Sequence, residues 1–365
     1  MVERARIVAW SAGISVLLVA SVIASAAVGP VWIEPIVVAK AMLNAIVLPS
    51  GVGTDASTLP VLGWSVPHPT VEFTPPFSFD VHGPHETIVT DIRMPRIVLA
   101  AVVGLALAVA GTVMQGFFRN PLADPSIIGV SSGAAVGAVA VLAFPGLIPL
   151  ASLHSAAFVG ALLAAFLVYA IATEGGRTPV ATLLLAGVAV QAFLGAVISY
   201  LLLHSGESLR QAVLWMMGRL SESTWGDVGF SLPFVLVGTA VLCAYTRELN
   251  VLLLGEEDAH HLGIEVERTK LILLAVASIV TAAGVAVAGI IGFVGLVVPH
   301  MMRLVVGPDH RILLPTSALV GATFLVVTDT IARSGSIEVP VGIITAALGA
   351  PFFLFLLARR EVHAL

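Results

Sequence analysis

Residues 271–302 read LILLAVASIVTAAGVAVAGIIGFVGLVVPHMM, thirty-two positions from Leu271 to Met302 without an Asp, Glu, Lys or Arg. One unbroken helix of that length would run about 48 Å at a rise of about 1.5 Å per residue, against about 30 Å for the hydrocarbon core of a bilayer. The segment therefore has to break. Gly284, Gly289, Gly292, Gly295 and Pro299 mark where. Proline breaks helices, and non-helical backbone at membrane depth has to be buried in protein. The stretch predicts one full span, a non-helical corner and a shorter return span.

An earlier stretch echoes it. Leu107-Ala-Val-Ala-Gly111 is followed by Pro121 ten positions after its glycine, and Val285-Ala-Val-Ala-Gly289 by Pro299 at the same interval. The echo predicts two related halves, an arrangement that many transporters build around a central pathway.

Composition agrees with a membrane setting. Hydrophobic residues make up 58% of the chain and charged residues 11%, the balance of a polytopic membrane protein rather than a soluble domain. The one cysteine, Cys243, lies in an apolar run, so no internal disulfide forms and a Cys-ligated metal site is disfavoured. The net charge of −5 comes with no basic tract for nucleic acid.

Outward from the central stretch, further apolar runs cover Ile7 to Gly29, Ile97 to Phe118, Ile127 to Leu150, Ala156 to Ala172, Val180 to Leu203, Val228 to Tyr245, Ile312 to Thr328 and Val339 to Ala358. With the split pair they predict an all-α membrane protein of ten transmembrane helices, a single permease-like domain over residues 1–365. Ala24-Ser25-Ala26 is a passable signal-peptidase site, but the apolar run before it is longer than a cleaved signal needs and reads as an uncleaved first span. Residues 30–96 form the long polar segment, in which Pro35 to Leu48 alone looks helical and amphipathic. The rest reads as an external loop, with His68, His82 and His85 as solvated loop histidines rather than metal or haem ligands.

Ten spans put both termini on one side. If that side is cytoplasmic, the inner segments hold Arg4, Arg6, Arg119, Arg177, Arg247, Arg268, Lys270, Arg303, Arg311, Arg359 and Arg360, and the outer ones Lys40, Arg93, Arg96, Arg210, Arg219 and Arg333. That bias places the N- and C-termini in the cytoplasm. Small residues on the spans, such as Gly133-xxx-Gly137, suit close helix packing in lipid.

Three functional classes fare poorly. Gly129-Val-Ser131-Ser-Gly133 matches the hydrolase pattern G-x-S-x-G, but it opens an Ala/Gly-rich span instead of following a strand. Neither Lys40 nor Lys270 follows G-x-x-x-x-G, so ATP is not held here by a P-loop. The spans also lack the buried ionisable groups of an ion-driven secondary carrier, with only Asp329 and Arg333 coming close. On the inner side, Leu252 to Glu265 is too polar to span. Glu256 to His261 reads as a short helix ending at Gly263 with Leu253, Leu254 and Leu262 left to bury, either a docking element or a tight connection.

Several segments, in order, resemble the FecCD-type permease subunits of ABC importers for iron complexes, haem and cobalamin. They are Arg93-Met-Pro-Arg96, Gln115-Gly-Phe-Phe-Arg-Asn-Pro-Leu-Ala-Asp-Pro125, Ile128-Gly-Val-Ser-Ser-Gly133, Leu214-Trp-Met-Met-Gly218, Leu254-Gly-Glu256 with Leu262-Gly263, Gly292-Phe-Val-Gly-Leu-Val-Val-Pro-His300, Asp309-His-Arg-Ile-Leu-Leu-Pro315, and Pro340-Val-Gly-Ile-Ile-Thr-Ala-Ala-Leu-Gly-Ala-Pro351.

The resemblance implies the type II ABC importer permease architecture. It implies a homodimer around a central pathway in the bacterial inner membrane, two cytoplasmic ATP-binding cassette subunits that carry ATP and Mg, and a periplasmic binding protein that delivers cargo. The chain itself would be no enzyme and hold no cofactor. Arg93, Arg96 and Arg333 would dock the binding protein, or else serve as interfacial anchors. Residues 252–267, with Leu254, Gly255, Glu256, Ala259, Leu262 and Gly263, would form coupling helices against the ATPase. Gln191, Ser199 and Tyr200 on the fifth span would line the pathway or pack between helices. Arg119-Asn-Pro-Leu-Ala-Asp-Pro125 followed by Ile128-Gly-Val-Ser-Ser-Gly133 is most similar to haem permeases, with ferric siderophore and cobalamin permeases next.

Overall fold

The computed structural model describes residues 2–58, 65–145, 152–335 and 337–358. In chain order they form α1 (Val2–Ala27), α2 (Pro35–Asn44), β1 (Leu48–Thr58), β2 (Ser65–Thr74), α3 (Gly83–Thr87), α4 (Met94–Phe117), α5 (Val130–Ala143), α6 (Leu153–Ala172), α7 (Val180–Leu203), α8 (Leu209–Met216), α9 (Trp225–Ala244), α10 (Thr246–Leu252), α11 (Glu256–His261), α12 (Val266–Ala288), α13 (Val294–Val306), α14 (His310–Ala332) and α15 (Val341–Ala358).

A helix stands at each of the ten apolar runs. Seven of the described helices are long and apolar enough to cross a membrane, whereas α5, α13 and the apolar part of α15 are shorter. At about 1.5 Å per residue the 13 residues of α13 reach about 20 Å, so length carries seven crossings and not the predicted count of ten. The run predicted from Ile127 to Leu150 is helical only from Val130 to Ala143, and its last five residues lie outside the described part.

The break in the central stretch falls at residues 289–293. Gly289, at φ 72°, ends α12, and Phe293, at φ 69°, opens α13. Pro299 is not part of the corner. It sits inside α13, where its missing N–H leaves the Gly295 carbonyl without its helical donor. The buried Gln115 amide on α4 lies 3.4 Å from that carbonyl and donates to the Leu296 carbonyl at 3.0 Å. A neighbouring helix thus satisfies the backbone that proline releases.

The echo between the two halves also resolves differently in its two copies. Gly111 lies inside α4, pressed against the backbone of Gly295, whereas Gly289 ends a helix.

The long polar segment holds more structure than a loop. Helix α2 is where amphipathicity places it, and β1 pairs antiparallel with β2 from Leu48↔Thr74 to Thr58↔Ser65. Pro67 and Pro69 disguise β2, yet both strands of a two-stranded sheet are edges, where alternate residues need no ladder N–H. From Gly83 the chain is helical through a π-turn at Ile88–Arg93 into α4, one apolar helix to Phe117.

Helices α4, α12 and α14 form the core. Most of α4 is buried inside the chain, while few residues of α1 are, Ile14 and Ser25 to Ala27 among them. Close approach depends on small residues. Gly104 of α4 meets the backbone of Gly321 on α14, and Gly133 of α5 meets that of Gly160 on α6. Lipid supplies no hydrophobic drive for helices to associate, so such backbone contact is what packing has to work with.

Candidate functional site

The three arginines expected at the outer rim converge at one end of the bundle, around the last turn of α1. Helix C-termini leave carbonyls without helical donors and carry partial negative charge, so cations suit them. Arg93, buried, donates to the carbonyls of Ala26, Ala27 and Val31. Arg333, just past α14, donates to the Val28 carbonyl at 2.9 Å, the Ser25 hydroxyl at 2.8 Å and the Ser25 carbonyl. A side chain at Gly29 would collide with the Arg93 guanidinium, so the sequence Ala26-Ala-Val-Gly29 leaves room for it.

Arg96 instead grips Asp329 with both carboxylate oxygens, at 2.8 and 2.9 Å, and reaches Glu338 at 2.8 Å. Asp329 is 1% exposed, and Arg333 Nε lies 3.6 Å from it. Burial lowers the Arg333 pKa, with Asp329 pulling the other way. The candidate signal-peptidase site, Ala24 to Ala26, ends in this clamp. Of these internal partners, Glu338 stands open to solvent while Asp329 is enclosed.

The pathway candidates separate from one another. Gln191 donates to the Ile127 carbonyl at 2.7 Å and so ties α7 to the turn before α5. Ser199 returns its hydroxyl to the Gly195 carbonyl one turn back, and the Tyr200 ring lies against His204, tilted by 38° with ring centroids 4.3 Å apart. Ser199 and Tyr200 share an exposed part of α7 with Leu203, and Leu185, Val188 and Phe193 are exposed nearer its start.

The opposite end of the bundle carries α10 and α11. Gly255, at φ 124°, turns the chain into α11, and Gly263, at φ 81°, turns it out. Those torsions favour glycine, which explains both positions. Ala259 is buried under the short helix, whereas Leu254 and Leu262 are 62% and 59% exposed. Two leucines flanking a helical turn thus project from the chain. Glu256, its first residue, pairs with Lys270 at 2.7 Å.

Two polar features escaped the sequence reading. Arg303 donates to the Gln115 side-chain oxygen at 2.8 Å inside the bundle, joining α13 to α4. Lys270 is 3% exposed and surrounded by acceptors. The signals were present: an arginine four residues after Pro299, and a lysine three residues after Glu267 at the head of an apolar run. Neither spacing indicates burial without knowledge of the neighbouring helix.

A bundle with an interrupted helix, a π-turn and glycine-pressed backbones, with exposed leucines at one end and an arginine clamp at the other, has the make-up of a polytopic helical membrane protein. The FecCD transport family model matches residues 16–359, and the chain belongs to that family. It is 58% identical over 365 residues to the cobalamin import system permease protein BtuC of Halobacterium salinarum, covering 99% of each chain. It is 46% identical over 279 residues to the hemin transport system permease protein HmuU of Yersinia pestis, covering 74% of this chain and 83% of that one. A solved ABC transporter structure in an inward-facing conformation, assigned to the metal-chelate type, superposes with a TM-score of 0.78 at 28% identity, covering 96% of this chain and 98% of that one.

Proposed function

We propose that the chain is the transmembrane subunit of an ATP-driven importer for a metal-bound macrocycle, either haem or cobalamin. The observation that carries this is the full-length likeness to a permease named for cobalamin import. The likeness to a hemin permease supports haem, as do the segments at Arg119 to Pro125 and Ile128 to Gly133. Ferric siderophore or iron citrate is the remaining alternative within the family.

On this reading two copies enclose the pathway between their α7 faces, where Ser199, Tyr200 and several apolar residues of α7 are exposed. Gln191 contributes by holding α7 in place. Two ATP-binding cassette subunits bind ATP and Mg and receive Leu254, Gly255, Glu256, Ala259, Leu262 and Gly263. The exposure of Leu254 and Leu262 supports that docking, since large apolar side chains beside a polar helix are more useful covered. The binding protein docks on the opposite end, where carboxylates on its lobes compete with Glu338 for Arg96 and approach Arg93 and Arg333 over the α1 terminus. Residues 30–96 form the outer segment, and both termini face the cytoplasm, a placement that the positive-charge bias supports.

An ion-driven carrier is the rival of another class. Asp329, the buried carboxylate best placed to serve one, is already neutralised by Arg96 and Arg333. The deciding experiment is uptake by proteoliposomes that hold this chain with its ATPase and binding protein, offered haem, cobalamin and a ferric siderophore side by side. Uptake of a single macrocycle that ceases without ATP is the expected result. Uptake that continues under an ion gradient with the ATPase omitted would overturn it.

A further inference from the structure

We infer that Lys270 is the positioning residue that ties the α11 turn to α7. Its ammonium donates two hydrogen bonds and forms one further ion pair, with partners from three parts of the chain. The carboxylate of Glu256, at the start of α11, lies at 2.7 Å. That of Glu267, one turn back on α12, lies at 3.1 Å. The backbone carbonyl of Thr178 lies at 3.0 Å. Glu267 closes the loop by accepting the Thr178 N–H through its other oxygen at 3.0 Å.

Thr178 is where this matters. It lies two residues before the first residue of α7 and is itself buried, with its hydroxyl 2.9 Å from that of Thr173 just past α6. The Glu174–Arg177 turn between them holds both backbone groups of its two ends paired, so the α6–α7 connection is short and stiff. A displacement of α11 therefore reaches the start of α7 through two bonds on one ammonium, with no flexible segment between. Glu256 is more open to solvent than Glu267, and Lys270 is enclosed. Charge-assisted bonds of this kind are short and directional, and their loss leaves a buried cation with fewer partners than it has protons.

The inference rests on the reading of α11 as the ATPase contact and deepens it, because it identifies the path by which that contact reaches the pathway helix. It also separates two roles within one cluster. Glu267 and Thr178 would hold Lys270 whether or not α11 moves, whereas the Glu256 ion pair is its side-chain link to the moving part.

The test compares Lys270→Met, Lys270→Arg and Glu256→Gln in the complete transporter, reading molecules imported per ATP hydrolysed together with the melting temperature. The expected result is that Lys270→Met and Glu256→Gln each lower import per ATP by about tenfold, within the range of a coupling free energy between sites. The Lys270→Met, Glu256→Gln double variant should lose no more than either single one, and Lys270→Arg should recover most of the ratio. An unchanged ratio in both single variants would overturn the inference. So would a fall in import that merely tracks lost melting temperature and lost hydrolysis, which marks a structural role alone. If the unmodified transporter imports nothing in an ATP-dependent manner, the functional reading fails at that earlier step and the two failures are told apart.

Discussion

Asp329 accepts the Nε and Nη2 edge of the Arg96 guanidinium with both oxygens and lies within reach of Arg333 Nε, all at the C-terminal end of α14. Removing its charge would leave two guanidiniums dependent on Glu338, which is partly solvated and screened. Breaking a buried ion pair from one side is costly because the remaining charge stays buried. Asp329→Asn should therefore lower stability by about 3 kcal/mol. Glu338→Gln, at an exposed position, should cost no more than about 1 kcal/mol. Thermal unfolding of both variants in detergent checks the order, and a larger loss for Glu338→Gln would show that Asp329 is not the hub. Arg93 acts on backbone instead. Arg93→Ala would free the carbonyls of Ala26, Ala27 and Val31, at a cost of about 2 kcal/mol, while its charge is lost with it. Proteolysis near the end of α1 should then quicken in vesicles, and unchanged digestion would mean that Arg333 holds that end alone.

Helix pairs in this bundle are set by what glycine permits. Gly104 and Gly321 place the α4 and α14 backbones in direct contact, and a Cβ at Gly104 would strike the Gly321 carbonyl, which cannot move aside as a side-chain tip can. Gly104→Val should therefore force the two most buried helices apart, and the fraction of protein that elutes as a single species should collapse. Gly13 of α1 has open space around it, and Gly13→Ala should be neutral or stabilise by up to about 1 kcal/mol through helix propensity. Equal effects of the two substitutions would remove backbone contact as the reason. The same comparison shows what sequence could convey. The break after α12 was legible because thirty-two uncharged residues in one straight helix would outrun the hydrocarbon core, but whether glycine or proline made the corner was not. Pro299 could remain helical only because Gln115 and α4 lay alongside. The β1–β2 hairpin was hidden by Pro67 and Pro69, and the burial of Arg93 and Arg333 by the fact that their acceptors are carbonyls, which sequence displays at every position. Leu254, Glu256 and Leu262 were legible as a projecting turn because they adjoin two glycines in a segment too polar to span. Lys270 was not, since its third partner lies on another connection.

The distribution of exposure over the chain makes a prediction about assembly. Two sets of apolar side chains face outward on different flanks. One belongs to α1, with Val8, Val16 and Val19, and the other to α7, with Leu185, Val188 and Phe193. In a membrane, exposure of the first kind needs only lipid, since the other side of α1 packs along α14 and the helix is fastened at both ends, by Arg93 and Arg333 above and by Arg6 to the Val306 carbonyl at 3.0 Å below. The α7 flank differs because it carries Ser199 and Tyr200, whose polar groups gain little from hydrocarbon and more from a wetted boundary between two copies. If the two copies meet there, a cysteine at Phe193 in a Cys243→Ser background should form an oxidative dimer in native membranes, whereas one at Val16 should stay monomeric. Cross-linking at Val16 with none at Phe193 would transfer the interface to α1 and leave α7 facing lipid. The pathway would then have to run inside a single chain, and the arrangement proposed for Ser199 and Tyr200 would fall with it.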